Sequence, residues 1–196
     1  MWKTGNNDTD DATGKPAKGA ATRLLRSRDG AAAIEFALLA IPYFLIVFAI
    51  IETFVAFTGE QLVANAVDTL ARKVRTGQVT TANTTEADFR GMFCDEVSIL
   101  IQCGAEDDGK LILDVRSFAT FADIPNTIPR DGVALEASNN FTPGGPRSKN
   151  MLRAYYKWSV VTDLVRPYIS GLRPVDGSVP NEFLIVATAS FQNEDY

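Results

Sequence analysis

The chain contains no histidine, and only two of its 196 residues are cysteine. Histidine is the commonest general base and the commonest metal ligand, so its absence lowers the expectation of an enzyme without excluding catalysis by carboxylates or by Ser–Lys pairs. The two cysteines allow one disulfide, and a metal site would need more ligands than lie near them. No metal site and no cofactor are therefore predicted.

Acidic residues outnumber basic ones over the whole chain, whose net charge is −5, but the charge is unevenly distributed. Residues 1–30 hold six basic and four acidic side chains and so carry +2, which leaves 13 basic and 20 acidic residues, or −7, for the rest. Basic residues just before an apolar segment favour a cytoplasmic N-terminus and export of the chain beyond that segment. An acidic exported part argues against a nucleic-acid partner.

A long apolar helix is predicted to begin at Ala31. The sixteen residues Phe36–Ile51 carry no charge, and with their flanks as far as Phe57 they can cross a hydrocarbon core about 30 Å thick. Pro42 lacks the N–H for the helical hydrogen bond, so a kink is expected there. Residues 1–30, small and polar and then basic, are predicted to be a disordered cytoplasmic leader.

The helix is predicted to continue beyond the membrane as far as Thr76, before Gly77 ends it. An apolar stripe with helical spacing indicates that this half packs on a folded domain, residues 58–196. The stripe consists of Val63, Val67, Leu70 and Val74.

The remaining sequence predicts a second helix and three strands. The helix should start after Thr85, a suitable N-cap, and end near Leu100–Ile101. Residues 122–150 are polar and interrupted by Pro and Gly, so a loop is predicted there. The strands are expected at Lys110–Phe118, Tyr155–Val161 and Phe183–Phe191. The expected fold is α+β: a long kinked N-terminal transmembrane and amphipathic helix packed on a small antiparallel β-sheet, with a short second helix.

Cys94 and Cys103 are predicted to form that disulfide, with two unpaired thiols as the alternative. The nine residues that separate them would rise about 13.5 Å in a straight helix. A disulfide needs Cα atoms within about 7 Å, so the chain must turn back between the two cysteines. Export to an oxidising compartment favours the bond.

The junction between leader and helix carries a glycine and a glutamate at a defined spacing. Gly30 ends the leader, and Glu35 follows at a depth where a carboxylate is disfavoured by about 2.5 kcal/mol or more. Prepilins of type IV systems carry this pattern: a membrane peptidase cuts after the glycine, and the glutamate then serves assembly. Cleavage would leave an α-amino group on Ala31, which Glu35 of the same or a neighbouring chain could neutralise. A simple signal anchor with an interfacial glutamate is the alternative.

Four further segments strengthen this interpretation by their identity and order. They are the helix start Ala31–Pro42, the segment Arg75–Gln78, Phe89-Arg90 followed by Cys94 and Cys103, and the segment Phe191–Tyr196. In this order they resemble the TadE-like pseudopilins of the tight-adherence (Tad, Flp) pilus system, over residues 30–196. The chain departs from the family pattern at Asp195, where proline is usual.

The resemblance implies a structural minor pseudopilin without catalytic residues. A prepilin peptidase would cut it between Gly30 and Ala31, and Glu35 would serve processing or assembly of a Tad (Flp) pilus for surface adherence. Its partners would be the inner membrane, the peptidase, other pilin or pseudopilin subunits and the assembly platform. It would cross the bacterial inner membrane once, with a cytoplasmic N-terminus and a periplasmic domain, and whether it enters the pilus stays open.

Two other functions remain open. One is an uncleaved, membrane-anchored assembly factor that resembles TadG of the same system. The other is a membrane-tethered periplasmic binding domain or enzyme, which a convergent cluster of Asp, Glu, Ser and Lys would indicate. A cleavable secretory signal is disfavoured, because no Ala-x-Ala-like site follows the apolar run.

Overall fold

The computed structural model describes residues 28–101, 103, 109–131, 134–160 and 182–196, so the predicted leader lies outside it up to residue 27. The chain divides into two compact units, Met1–Ile46 and Val47–Tyr196. In chain order the elements are α1 (Arg28–Arg75), α2 (Glu86–Val97), β1 (Leu111–Phe118), a 3-10 turn (Phe121–Asp123), β2 (Arg130–Asp131), β3 (Ala134–Leu135), β4 (Asn140–Thr142), β5 (Lys149–Ser159) and β6 (Glu182–Gln192).

Helix α1 begins at Arg28 rather than at the predicted Ala31. Residues 31–33 are alanines, the strongest helix formers, and the helix extends from them into the preceding residues. The helix stops where glycine was expected to end it. Gly77 has φ +74°, a left-handed conformation that glycine adopts without strain, and its N–H donates to the carbonyl of Val74 at 3.1 Å.

The predicted apolar stripe of α1 lies at the centre of the hydrophobic core of the Val47–Tyr196 unit. Its four residues pack against α2 and one face of the sheet, and each is at most 1% exposed. The prediction that this half of the helix lies on a folded domain is therefore confirmed.

Helix α2 starts at the predicted N-cap, Thr85. The Thr85 hydroxyl accepts the N–H of Asp88, and the Asp88 carboxylate accepts the hydroxyl and the N–H of Thr85, which is a reciprocal capping box. The two hydrogen bonds that the Asp88 carboxylate accepts lower the pKa of this carboxyl below its usual value of 3.8. The bond from the Thr85 hydroxyl has the larger effect, and the bond from the Thr85 N–H the smaller one.

The end of α2 was predicted too late, at Leu100–Ile101. The helix ends at Val97, and the N–H groups of Leu100 and Ile101 both donate to the Val97 carbonyl, at 3.2 and 2.9 Å. The chain therefore turns there, and the turn leads toward Cys103.

The main sheet has four strands in the order β4-β1-β5-β6. β5 pairs antiparallel with β1 and with β6, whereas β4 pairs parallel with β1, so the sheet is mixed and the prediction of an antiparallel sheet is wrong at this edge. A connection of about twenty residues separates β1 from β4, long enough to return the chain to the end of the sheet where β1 starts. The α+β class is confirmed.

Residues 122–150 do not form the loop that the sequence predicted. They contain the β2–β3 hairpin and β4, and β5 begins within them, at Lys149 rather than at Tyr155. Polar residues interrupt the apolar pattern here, but inside the fold they are bonded: Arg153, 6% exposed, donates to the carbonyls of Pro125 and Thr127 at 2.6 and 3.1 Å. The predicted strand end, Val161, lies outside the described residues.

Candidate functional site

Ala31 and Glu35 lie four residues apart on α1 and therefore on the same side of the helix. Both side chains are exposed in the described part of the Met1–Ile46 unit. Side chains at this spacing have Cβ atoms about 5–6 Å apart, so the Glu35 carboxylate can reach a positive charge at position 31 of its own chain. The same exposure leaves the carboxylate accessible to a neighbouring chain.

Gly30 lies within the first turn of α1, so the peptide bond between Gly30 and Ala31 is part of the helix. The sequence had placed Gly30 at the end of the leader, ahead of the helix. A peptidase that cuts here would first have to unwind the end of α1. The cost is small because helix ends fray and glycine is about 1 kcal/mol less favourable than alanine in a helix.

The outward side chains of α1 are large and apolar as far as Phe57. Pro42 lies among them inside the helix, and the kink expected there stays a prediction. α1 is long and apolar enough to cross a membrane, which suggests single-pass anchoring. Side chains of this surface that are more than 60% exposed include Phe36 (72%), Leu38 (68%), Leu39 (67%), Ile50 (64%), Phe54 (71%) and Phe57 (61%).

A disulfide joins Cys94, in the last turns of α2, to Cys103, with Cα atoms 5.6 Å apart. Both residues are partly buried and pack against the hydrophobic core. The bond closes the short turn that comes after α2, as the spacing required.

Two segments that the family resemblance singled out meet at the end of α1, although they lie far apart in sequence. The Arg75 carbonyl accepts the N–H of Glu194 at 2.9 Å, and their side chains form an ion pair at 3.1 Å. Gly77 faces the ring of Tyr196, whose Cγ would lie 2.5 Å from a Cβ at position 77. We call the group Arg75, Gly77, Asn193, Glu194 and Tyr196 the helix-end clamp.

Asn193 is the buried member of the helix-end clamp, at 3% exposure. Its Nδ2 donates to the carbonyls of Gly144 and Gly145 at 2.8 and 3.1 Å, and it also lies 3.1 Å from the Tyr196 hydroxyl. Its Oδ1 accepts from the buried Asn150 side chain at 2.9 Å. The clamp is therefore tied to the turn before β5 as well as to α1.

The ion pairs of this region contribute less to stability than the hydrogen bonds of the buried amides. The Arg75–Glu194 pair is more than half exposed on both sides, and so is the ion pair between Arg147 and Asp195. Exposed pairs of this kind are worth about 0–1 kcal/mol, because water and salt screen them.

The sequence reasoning missed two features of this domain. Trp158 packs on α1 at Gly59, where a Cβ would lie 2.9 Å from the indole ring; an isolated glycine inside a helical pattern was the available signal. Asn150 and Asn193 bond each other inside the domain, and nothing in their sequence neighbourhood distinguishes a buried asparagine from a loop residue.

In the described part of the chain, these observations show a long helix that is apolar enough to cross a membrane and that continues into a small α+β domain. The described residues contain no group of three His, Cys, Asp or Glu side chains that could hold a metal ion. Residues 30–72 match the family model described as TadE-like protein, which is consistent with a TadE-like protein of the Tad pilus system. That family is a structural and assembly family of the pilus and is not known for catalysis. Comparisons with curated proteins and with solved structures gave no match.

Proposed function

We propose that the protein is a minor pseudopilin that a prepilin peptidase cuts between Gly30 and Ala31 and that takes part in assembly or initiation of a Tad pilus. The observation that carries the proposal is the position of the family match, residues 30–72, which starts at the glycine and contains the apolar helix with Glu35. The exposed apolar surface of α1 supports membrane insertion, and the folded domain beyond it supports contacts with other subunits on the periplasmic side.

In this proposal Glu35 acts after cleavage. The new α-amino group of Ala31 is largely cationic at neutral pH and would enter a low-dielectric environment among packed helices. Glu35 supplies the opposite charge, either within the chain or from a neighbouring subunit. Removal of one partner of a buried ion pair costs about 3–5 kcal/mol, enough to prevent a subunit from entering an assembly.

Cleavage is tested by the intact mass of the protein isolated from membranes of piliated cells. We expect the mature chain to begin at Ala31, and the Gly30→Trp variant to remain full length because a bulky side chain cannot occupy the scissile position. Full-length protein as the only species in the wild type would instead support an uncleaved, TadG-like assembly factor.

Assembly is tested separately with Glu35→Gln, which keeps the shape of the side chain and removes its charge. We expect nearly normal cleavage together with loss of piliation. Glu52→Gln makes the same change near the other end of the apolar run and is expected to be tolerated far better. Normal pili in the Glu35→Gln strain would show that the carboxylate is dispensable.

A further inference from the structure

One end of the main sheet carries basic side chains on one face and aromatic side chains on the other, since Lys157 and Trp158 are consecutive in β5. Three strands meet there: the start of β1, the end of β5 and the start of β6. The Lys157 N–H donates to the Lys110 carbonyl at 3.0 Å, so the two lysines are cross-strand neighbours. Trp158 pairs in register with Phe183 on the adjacent strand. We call Lys110, Lys157, Trp158 and Phe183 the sheet-end patch.

The aromatic part of the sheet-end patch joins the exposed apolar side of α1 within the Val47–Tyr196 unit. Phe183 borders an apolar hollow with Thr53, Ala56 and Phe57 of α1. Phe57 itself is 61% exposed, so the hollow opens onto the apolar surface that the helix presents. Aromatic side chains in such a position are typical of the boundary between lipid headgroups and acyl chains.

The basic part of the sheet-end patch lacks a partner in the described chain. Like charges directly across a sheet destabilise it slightly, so a Lys–Lys pair favours an anion between the two ammonium groups. No ion pair to either lysine occurs among the described residues. Among the described residues the acidic side chain nearest in register is Glu182, opposite Ser159 and one diagonal step from Lys157, and the two lysines and this glutamate together carry a net +1.

We propose that the sheet-end patch is a contact surface for an anionic phospholipid bilayer. Trp158 and Phe183, on the face of the sheet that packs on α1, would lie with Phe57 of α1 at the headgroup–acyl boundary, and Lys110 and Lys157, on the other face, would reach lipid phosphates past the end of the strands. Basic residues near an anionic membrane surface are attracted to it, and this attraction falls off within a Debye length. The inference rests on the proposed membrane anchoring and adds that the folded domain docks on the bilayer.

The test uses the full chain with Trp2→Phe, which leaves Trp158 as the one remaining tryptophan. The protein is reconstituted into vesicles of phosphatidylethanolamine and phosphatidylglycerol that contain lipids brominated either near the headgroup or near the chain end. We expect shallow bromines to quench Trp158 emission strongly and deep bromines to quench it weakly. No quenching by shallow bromines would overturn the proposal.

Charge is tested with the Lys110→Gln/Lys157→Gln variant in the same vesicles. Each lysine removed should lower the docked-to-undocked ratio about fivefold, and so should replacement of phosphatidylglycerol by a zwitterionic lipid. Lys110→Arg/Lys157→Arg should restore quenching. Far-ultraviolet circular dichroism establishes that each variant is folded.

The matched control is Lys149→Gln, the same change at the other end of β5, about 26 Å from Lys157 along the strand. The Lys149 ammonium bonds the Ala119 carbonyl at 3.1 Å and lies outside the patch. The Lys149→Gln variant should leave the quenching of Trp158 unchanged. A loss of quenching equal to that of the double lysine variant would refute a specific contact surface. Flotation of the chain with vesicles measures anchoring separately: a chain that floats without quenching overturns the docking alone, whereas a chain that does not float also overturns the proposed function.

Discussion

Gly77→Ala tests whether the helix-end clamp depends on a position that only glycine can occupy. The added methyl group meets two obstacles: the backbone has φ +74°, and the Tyr196 ring occupies the space of the new Cβ, with its Cγ at 2.5 Å and both Cδ atoms at 2.7 Å. These ring atoms lie close to the backbone of Tyr196, so the whole ring must move. A small rotation of the side chain cannot relieve the contact.

The magnitude is set by these two obstacles. A left-handed conformation costs a non-glycine residue about 1–2 kcal/mol, and the smaller unfolded-state entropy of alanine returns about 0.4–1 kcal/mol. Displacement of Tyr196 adds the loss of its hydrogen bond with Asn193, about 1 kcal/mol, and of its packing on the helix end. The free energy of unfolding should therefore fall by about 2–3 kcal/mol, as the sum of these contributions.

The assay is urea unfolding of the full chain in detergent micelles, monitored by Trp158 emission in the Trp2→Phe background. A shift of the midpoint without a change of slope reports a change of stability. Gly91→Ala is the matched control, because Gly91 lies inside α2 with open space around it. The same substitution should stabilise the protein there by about 0.5–1 kcal/mol.

A double-mutant cycle isolates the contact with the ring. In Gly77→Ala/Tyr196→Ala the steric conflict is gone and the cost of the backbone conformation remains, so the loss should fall short of the sum of the single losses by about 1–2 kcal/mol. Losses that add within about 0.5 kcal/mol would show that Gly77 and Tyr196 do not interact, and this account of the clamp would be wrong.

Three more measurements test other contacts of the same domain. Asn193→Ala removes the buried amide of the clamp and leaves the Gly144 carbonyl without this donor, so the unfolding free energy should fall by about 2–3 kcal/mol in the same urea assay, and a loss below about 1 kcal/mol would contradict it. Thiol labelling of denatured, unreduced protein should find Cys94 and Cys103 blocked, and their joint change to Ser should cost about 2–3 kcal/mol; two labelled thiols per chain would count against the disulfide. Because the pKa of Asp88 is lowered in the folded state, its carboxylate stabilises the fold above pH 3.8, and this stabilisation is lost as the pH falls through the folded-state pKa. An NMR titration should place the folded-state pKa below 3.8. Asp88→Asn should abolish this acid dependence of α2.

Helical periodicity and capping chemistry predicted much of this fold. The apolar stripe of α1, the glycine after it and the Thr85 cap are local signals, because the residues that interact lie within a turn or two of each other. β1 and β6 were also found, since their apolar alternation is little interrupted.

The errors come from contacts between distant segments. β5 was placed too late because Asn150 and Arg153 read as loop residues, and only the carbonyls and amides supplied by other segments make their burial favourable. The parallel edge strand was missed for the same reason, since β4 has three residues and its pairing with β1 leaves no local pattern.

The candidate site, like the fold, was predicted where the signal is local and missed where it depends on contacts between distant segments. The spacing of Gly30, Ala31 and Glu35 is a sequence fact, and the helix places residues 31 and 35 on one side, as expected. The helical state of Gly30 was not expected, because a glycine next to a leader that was predicted to be disordered gave no reason to extend the helix backward. The helix-end clamp was visible only as two family-like segments; their contact required the fold.

Between the end of the α1 stripe at Val74 and the start of β5 at Lys149 lie 74 residues, and this separation has a consequence for synthesis. If the domain is exported as proposed, α1 emerges first, α2 follows and can cover part of its apolar stripe, and the rest stays uncovered until β5 and β6 have emerged and paired. Pairings between such distant segments form slowly, because the conformational entropy of a long loop must be lost before any contact compensates for it. In that interval the uncovered part of the stripe is available to the bilayer surface or to the matching helix of another newly made chain. The order of the elements along the chain thus opens a brief period in which a subunit can associate before its own domain has closed.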